Sequence, residues 1–341
     1  MVLEIIRSTQ EMEKYAKEWN ELLYKSASDV PFLRHEYLDT WWRTMGGGEW
    51  SGGELYTIID RSSSGEILGI APFFITENHI GETALMFLGS VEISDYLDLI
   101  APPDHIGKFV GHLVDHLETL EASDWQTIDL YNILESSPTI SHLKERASEK
   151  RWTYLEEQLQ PCPIITLPGD WESYLAGISK KQRHEIRRKL RRAENYPGGV
   201  RWYIVEDETT LNSEIDSLIN LMGQDPQKAK FLSDAMVSQM HTLVHAAFKE
   251  GWLQLAFLEV GGTKVAVYFN FDYGNRIWVY NSGLDFNYRE LSPGWVLLAN
   301  LLRWANDHKR AAFDFMRGDE AYKMRFGGVP RYVKRIKINR S

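Results

Sequence analysis

The sequence predicts an α/β (α+β) chain of two tandem domains, each a mixed, mostly antiparallel sheet flanked by helices. Three observations carry this. The 341 residues exceed the usual size of a single domain. The order strand, two helices, three strands, helix, strand can be read once in each half, without enough residue similarity for a sequence repeat. In each half, three strands joined by short turns imply antiparallel pairing, and the strand–helix–strand that follows allows a parallel crossover. Residues 160–169 (QPCPIITLPG) carry three prolines and separate the halves, so the expected domains are 1–160 and 161–341.

In the first half, residues 3–7 form an extended run. A helix follows over 11–25, with Met12, Tyr15, Ala16, Trp19, Leu22 and Leu23 on one face. Pro31-Phe32 ends it, and Tyr37, Leu38, Trp41 and Trp42 mark a second helix that stops at Gly46-Gly47-Gly48. Strands are expected over 54–60, 67–75 and 83–88, the first two joined through Ser62-Ser63-Ser64-Gly65. An acidic loop, Ser94-Asp95-Tyr96-Leu97-Asp98, leads to a helix near 106–120, a strand at 127–131 and a helix near 140–149.

The second half opens with a basic helix over about 178–194, stopped by Asn195-Tyr196-Pro197-Gly198-Gly199. A strand (200–205), helices (211–222 and 233–249) and three strands (252–260, 263–273, 276–282) come next. A helix over 293–308, a strand at 312–316, the polar cluster 317–323 and a last strand at 331–338 complete the chain.

Composition narrows the function class. Twelve Trp, sixteen Tyr and fourteen Phe supply aromatic area for two cores, or for a core and an aromatic-lined cleft. Cys162 is the only cysteine, so no intramolecular disulfide forms, which fits a reducing compartment. No apolar run approaches the ~20 residues of a membrane span, and the first residues do not read as a secretory signal. A cytoplasmic location is therefore expected. The net charge of −10 disfavours broad nucleic-acid binding, but its distribution is uneven. Residues 180–192 hold eight Lys/Arg against Glu185 alone, a local +7 that leaves −17 elsewhere. Like charges one turn apart on that helix repel. Acids of the same chain or a bound polyanion would neutralise them, and both readings stay open.

Two further constellations carry chemistry. Ser292-Pro293-Gly294 has a favoured N-cap, a proline suited to the first helical position and a glycine that admits close approach. It fits an ordinary capped helix, and it also fits a helix start whose free amides hold a phosphate. After the strand at 312–316 come Asp319, Glu320, Tyr322 and Lys323, with Asp314 in the strand itself. Carboxylates and a phenol at a strand end suit general acid–base work, and Lys323 suits an anion. Capping and surface ion pairing would use the same residues. Asp95 and Asp98 are further candidate substrate contacts from the first half. No phosphate-loop, dinucleotide or nucleophile-elbow motif is present, and His112/His116 and His241/His245 have no third ligand, so no metal is expected.

Four stretches together resemble a known family: Pro31-Phe32 with Trp41-Trp42, Asp95-Tyr96-Leu97-Asp98, Ile178-Ser179-Lys180-Lys181-Gln182-Arg183, and Ser292-Pro293-Gly294 with Phe313-Asp314-Phe315 and Gly318-Asp319-Glu320-Ala321-Tyr322-Lys323. The chain resembles the GNAT (Gcn5-related N-acetyltransferase) superfamily. Within it, the chain is similar to the double-domain group annotated with cellulose-biosynthesis-type acetyltransferases, relatives of the Fem-type aminoacyltransferases. The resemblance implies two GNAT-like domains and an acetyl-CoA or other acyl-CoA donor. It further implies acyl transfer to an amine or hydroxyl of a cell-envelope or polysaccharide-related acceptor. The donor contacts it implies are Ser282, Leu291, Ser292, Pro293 and Gly294, one glycine standing where many relatives carry two or three. Base roles fall to Asp314 or Glu320, the leaving-group proton to Tyr280 or Tyr322, and acceptor contacts to Lys323 and Asp319. Fem-type enzymes use aminoacyl-tRNA instead, and Tyr322–Gly328 is similar to their lysine-bearing phosphate contact. An aminoacyl-tRNA transferase and a non-catalytic GNAT-fold binding module are therefore the alternatives.

Overall fold

The computed structural model describes residues 2–121 and 124–340. The chain divides into two compact units, Met1–Gln160 with Arg331–Ser341, and Pro161–Pro330. The last strand was expected in the second half but belongs to the first unit.

The elements of the first unit are β1 (Val2–Ile6), α1 (Thr9–Glu13), α2 (Ala16–Leu23), α3 (His35–Gly48), β2 (Glu54–Leu55), β3 (Thr57–Arg61), β4 (Ile67–Ala71), β5 (Phe73–Glu77), β6 (Thr83–Phe87), α4 (Ile106–Thr119), β7 (Thr127–Leu134) and α5 (Pro138–Glu149). The expected 67–75 strand is two strands, parted at Pro72, which has no N–H to give to a ladder. β4 joins β1 and β3 in a small sheet, and β5 joins β2 and β6 in another. β6, α4 and β7 make the parallel crossover read from the sequence. The C-terminal strand, Val329–Asn339, pairs antiparallel with β7, and Arg335 forks onto the buried Asp129 at 2.8 Å from both nitrogens. That buried ion pair and the inward Val333, Ile336 and Ile338 explain why the strand belongs to this unit.

The chain passes through β8 (Thr153–Thr166) into α6 (Trp171–Gly177), α7 (Lys180–Glu194), β9 (Val200–Ile204), α8 (Leu211–Gly223), α9 (Pro226–Phe231), α10 (Asp234–Lys249), β10 (Leu253–Val260), β11 (Thr263–Tyr273), β12 (Arg276–Leu284), α11 (Pro293–Asp307), β13 (Ala312–Asp314), α12 (Ala321–Arg325) and β14 (Val329–Asn339). Strands β9 to β12 form an antiparallel meander, β12 and β13 pair parallel across the α11 crossover, and β13 pairs antiparallel with β8. α11 lies over one face of this sheet, its Val296, Leu297, Leu301 and Leu302 packing in a core with Tyr268, Ile277 and Val279. The short helices α6, α9 and α12 were not read from the sequence, being below the length at which apolar periodicity can be recognised. No helix among the described residues is long and apolar enough to cross a membrane.

Candidate active site

The site is a wedge between two parallel strands. β12 and β13 pair only over Arg276–Trp278 against Ala312–Asp314. β12 then continues to Leu284, while the chain after Asp314 is drawn towards β8, with Phe315 N–H donating to Pro163 O and Gly318 N–H to Pro161 O at 2.9 Å each. Among the described residues the edge of β12 beyond Trp278 has no strand partner on that side. A β-bulge sits on the same stretch. The register passes from Phe269↔Asn281 to Asn270↔Val279, which places the bulge at Tyr280. The Tyr280 ring packs on Phe269 and Phe271, centroids 5.1 Å from each, which puts it on the face opposite Tyr268.

At the far end of β12 the chain turns into α11. Ser292 occupies the N-cap position but is left-handed (φ 56°, ψ 56°) and makes no capping bond with its side chain. Its Oγ is instead 2.9 Å from Lys189 Nζ, which also lies 4.2 Å from the Trp295 ring centroid. The basic helix α7 thus delivers one cation to the start of α11. Burial pushes the Lys189 amine below its usual pKa, against the attraction of Glu185. Gly294 has a packing reason to be glycine: a Cβ there would lie 2.9 Å from Leu284 Cδ2. Leu291 and Pro293 are buried, Leu291 in the core beneath α11, so of the expected donor residues it is the polar Ser292 and Ser282 that offer side-chain contacts.

The remaining cations of α7 divide into two groups. Arg187 pairs with Glu172, Arg188 with Glu185, and Arg192 approaches Glu290 at 3.7 Å. Lys180, Lys181, Arg183 and Arg191 make no ion pair among the described residues.

Opposite β12, the loop 316–320 is organised from within. Asp314, fully buried, accepts from Met316 N–H at 3.0 Å and lies 3.7 Å from the Arg276 guanidinium. Lys323 is 3% exposed, and its ammonium donates to Arg317 O (2.6 Å), more weakly to Met316 O, and to Glu320 Oε2 at 2.9 Å. Its donors are spent on the loop. Gly318 (φ 127°) is confined by the same pair, since a Cβ would sit 2.7 Å from Lys323 Nζ. Glu320 precedes α12 and is half exposed, whereas Asp319 is exposed and makes no ion pair among the described residues. Tyr322 packs edge-on against Phe315, and burial raises its phenol pKa well above the ordinary value, with Glu320 adding to it.

Lys228 of α9 was not anticipated. Its ammonium donates to Ser282 O at 2.5 Å and Asn281 Oδ1 at 3.0 Å, on the free edge of β12. Nothing in Pro-Gln-Lys-Ala-Lys separates Lys228 from Lys230; only the polar Asn281-Ser282 ending an apolar strand signals that something polar meets that edge.

In the first unit, Asp98 is enclosed. Ser28 Oγ and Ser137 Oγ each donate to Oδ2 at 2.5 Å, and Leu99 N–H donates to Oδ1 at 2.8 Å. It ties three segments of its own unit together. Asp95 is buried in the same loop, next to Tyr96 at φ 56°. Among the described residues no group of three His, Cys, Asp or Glu is disposed to hold a metal ion.

A family model described as an acetyltransferase (GNAT) domain matches residues 180–324, the stretch that runs from α7 through the wedge into α12. The second unit carries a GNAT domain. Solved structures extend the likeness of fold to the whole chain. FemX aligns with a TM-score of 0.67 at 12% identity, covering 98% of this chain and 97% of its own. A conserved protein of unknown function from Bacteroides thetaiotaomicron aligns at 0.60 and 12% identity, covering 99% and 100%. L-PGS from Bacillus licheniformis aligns at 0.57 and 12%, covering 98% and 92%. These identities show the fold alone. No curated protein matches the sequence. The mixed α/β fold expected from the sequence, sheets flanked by helices, is the fold of the chain.

Proposed function

We propose that the GNAT domain binds an acyl-CoA along the free edge of β12 and transfers the acyl group directly to an amine or hydroxyl acceptor. The observation that carries this is the wedge: one strand edge leads from a half-buried helix start, met by Lys189, to a bulge at the point where the strands part. Backbone groups of the 279–284 edge suit the amides of the donor's arm, as an added strand would. Phosphates fit the other end, where the α11 N-terminus and Lys189 combine a helix dipole with a point charge. The acyl carbon then falls near the bulge, where β12 leaves its regular ladder at the point the strands part.

Chemistry follows from the opposite wall. Attack by the acceptor forms the new C–N or C–O bond and breaks the C–S bond; the acceptor loses a proton and the thiolate gains one. Glu320 is the base in this reading, because its carboxylate is half exposed beside the wedge, whereas Asp314 is enclosed and positions the turn at Met316. Tyr322, whose raised pKa keeps the phenol protonated, donates to the departing sulfur. Tyr280, turned to the other face of the sheet, contributes backbone rather than phenol. Lys323 holds the loop that presents Glu320 and Tyr322. A cell-envelope or polysaccharide-related acceptor remains the resemblance's suggestion.

Calorimetric titration of the full chain with acetyl-CoA tests the donor. Saturable heat is expected, weakened about tenfold in Lys189→Met, the loss expected for one charge-assisted phosphate contact; absence of heat at millimolar ligand sinks the reading. An aminoacyl-tRNA donor is the second reading, favoured by the exposed Lys180, Lys181 and Arg191 and the half-buried Arg183, which make no ion pair among the described residues, and by the fold shared with FemX. It requires salt-sensitive retardation of tRNA by the wild-type chain, abolished on charge reversal at Lys180, Lys181 and Arg183. Acyl turnover from either donor excludes a purely non-catalytic binding module.

A further inference from the structure

A strand edge without a neighbouring strand presents a row of outward N–H and C=O groups. Which residues of β12 present them follows from the ladder. Asp285 N–H donates to Val265 O at 2.9 Å, and these two residues continue the β11–β12 register one step beyond Ala266↔Leu284. Directly opposed, hydrogen-bonded pairs recur at every second residue of an antiparallel ladder. Gly283 and Asn281 therefore face β11 with their backbone groups, and Leu284 and Ser282 turn theirs to the free edge. Ser282 is the outward residue nearer the bulge, in the middle of the stretch proposed to pair with the donor's arm.

Both outward groups of Ser282 are taken by side chains. Its N–H donates to Oδ1 of the preceding Asn281 at 2.9 Å. Its carbonyl accepts from Lys228 Nζ at 2.5 Å, and the same ammonium donates to Asn281 Oδ1 at 3.0 Å. Lysine, amide and strand backbone thus close a ring over one residue of the edge. The helix that brings the lysine is lightly held: α9 has six residues, none of them buried. Its N-cap Asp225 accepts from the backbone N–H of Gln227 at 2.8 Å and of Lys228 at 3.4 Å, so that carboxylate serves the helix start. The hydrogen-bond partners of the Lys228 ammonium among the described residues are neutral oxygens of Asn281 and Ser282. A flexible, strongly hydrated ammonium exchanges such partners for water at small net cost. The ring is closed, but it can open.

We propose that Lys228 and Asn281 form a latch that closes the β12 edge until an acyl-CoA donor opens it. The latch rests on the place proposed for the donor's arm. An added strand pairs through outward N–H and C=O groups, and at Ser282 these are the two groups that the ring consumes. Amides of the arm replace, bond for bond, what Lys228 and Asn281 give up. A closed fraction lowers apparent affinity, because the measured Kd is the intrinsic value divided by the open fraction. Breaking the latch therefore tightens donor binding, whereas removing a donor contact weakens it and removing a merely structural lysine leaves it alone.

The test is calorimetric titration of the full chain with acetyl-CoA. Lys228→Ala is expected to bind about tenfold more tightly than wild type, the scale of one hydrogen bond to a charged group. Asn281→Ala, which carries the test if Lys228→Ala does not fold, is expected to bind about threefold more tightly. Hydrogen exchange without acetyl-CoA reads the latch itself: the Ser282 amide should exchange faster in Asn281→Ala, and the α9 amides faster in Lys228→Ala. Wild-type binding with unchanged affinity in the variants overturns the latch and leaves the donor reading standing. Weaker binding by Lys228→Ala overturns it as well and makes Lys228 a donor contact. Absence of heat from wild type and from both variants removes the donor reading, and the latch with it.

Discussion

Single residues show how one side-chain type serves different ends in this chain. Gly294 and Gly283 both admit a close neighbour, but the neighbours differ. A Cβ at Gly294 meets the tip of Leu284, which can turn aside, whereas a Cβ at Gly283 meets backbone C and N of Leu221 and Met222 at 2.6 Å. Gly294→Ala is therefore expected to cost only about 1 kcal/mol, relieved by adding Leu284→Ala, and Gly283→Ala about 3 kcal/mol with no such relief. Urea unfolding of the two variants and the double variant reads this directly. If Gly294→Ala instead leaves stability alone and abolishes acetyl-CoA binding, ligand approach rather than packing explains that glycine. Asp98 gives a pH prediction. Burial, against the hydrogen bonds from Ser137 and Ser28, raises its pKa. The folded state then takes up the proton more readily than the unfolded one. The stabilisation is fully present below the unfolded pKa near 4 and is lost as pH rises through the folded value. Replacing Asp98 with Asn removes that dependence, so the variant's stability relative to wild type should improve as pH rises from about 4 to about 7; a difference that does not change with pH contradicts it.

At the scale of elements, the crossover β12–α11–β13 is what makes a site possible. Parallel strands linked by a helix pair only briefly, and the pull of Pro163 and Pro161 carbonyls on the chain after Asp314 parts them. The basic helix α7 has a divided role. Three of its arginines meet acids and Lys189 meets the start of α11, while Lys180, Lys181 and Arg191 are exposed. Reversing those three exposed charges should leave acetyl-CoA affinity within about threefold at physiological ionic strength, since screening confines exposed charges to about 8 Å, whereas Lys189→Met should not. A strong loss from the exposed set would show that the ligand spans the whole helix face, as a tRNA would. α9 is the converse of α7: a six-residue helix with little buried surface, placed by one lysine on a strand edge.

For the whole molecule, long elements with strong periodicity were legible, and so were the doubled order of elements and the parallel crossover in each half. A helix of fifteen residues or a meander with short turns announces itself locally, because burial of one face imposes its period on the sequence. The place of the last strand was not legible. Its alternation states that it is a strand, but the partner, β7, lies about two hundred positions away and is chosen by the Arg335–Asp129 pair and by packing. The same distinction runs through the site. The residues Ser292, Glu320, Tyr322 and Lys323 were visible as a polar cluster and a helix start, because their spacing along the chain is short. Their states were not: Ser292 left-handed and turned to Lys189, Lys323 spent on carbonyls, Asp314 enclosed. Lys228 carried no mark at all, because an ordinary lysine acquires meaning only when a sheet edge is brought against it. By itself the sequence determined the class of fold and the order of elements, since both rest on local periodicity and spacing, while the acyltransferase reading came from a family resemblance. Only the tertiary structure decided which polar groups face one another in the wedge and which are consumed by their own loops, because hydrogen-bond partners are set by contacts across the sheet that no local pattern encodes.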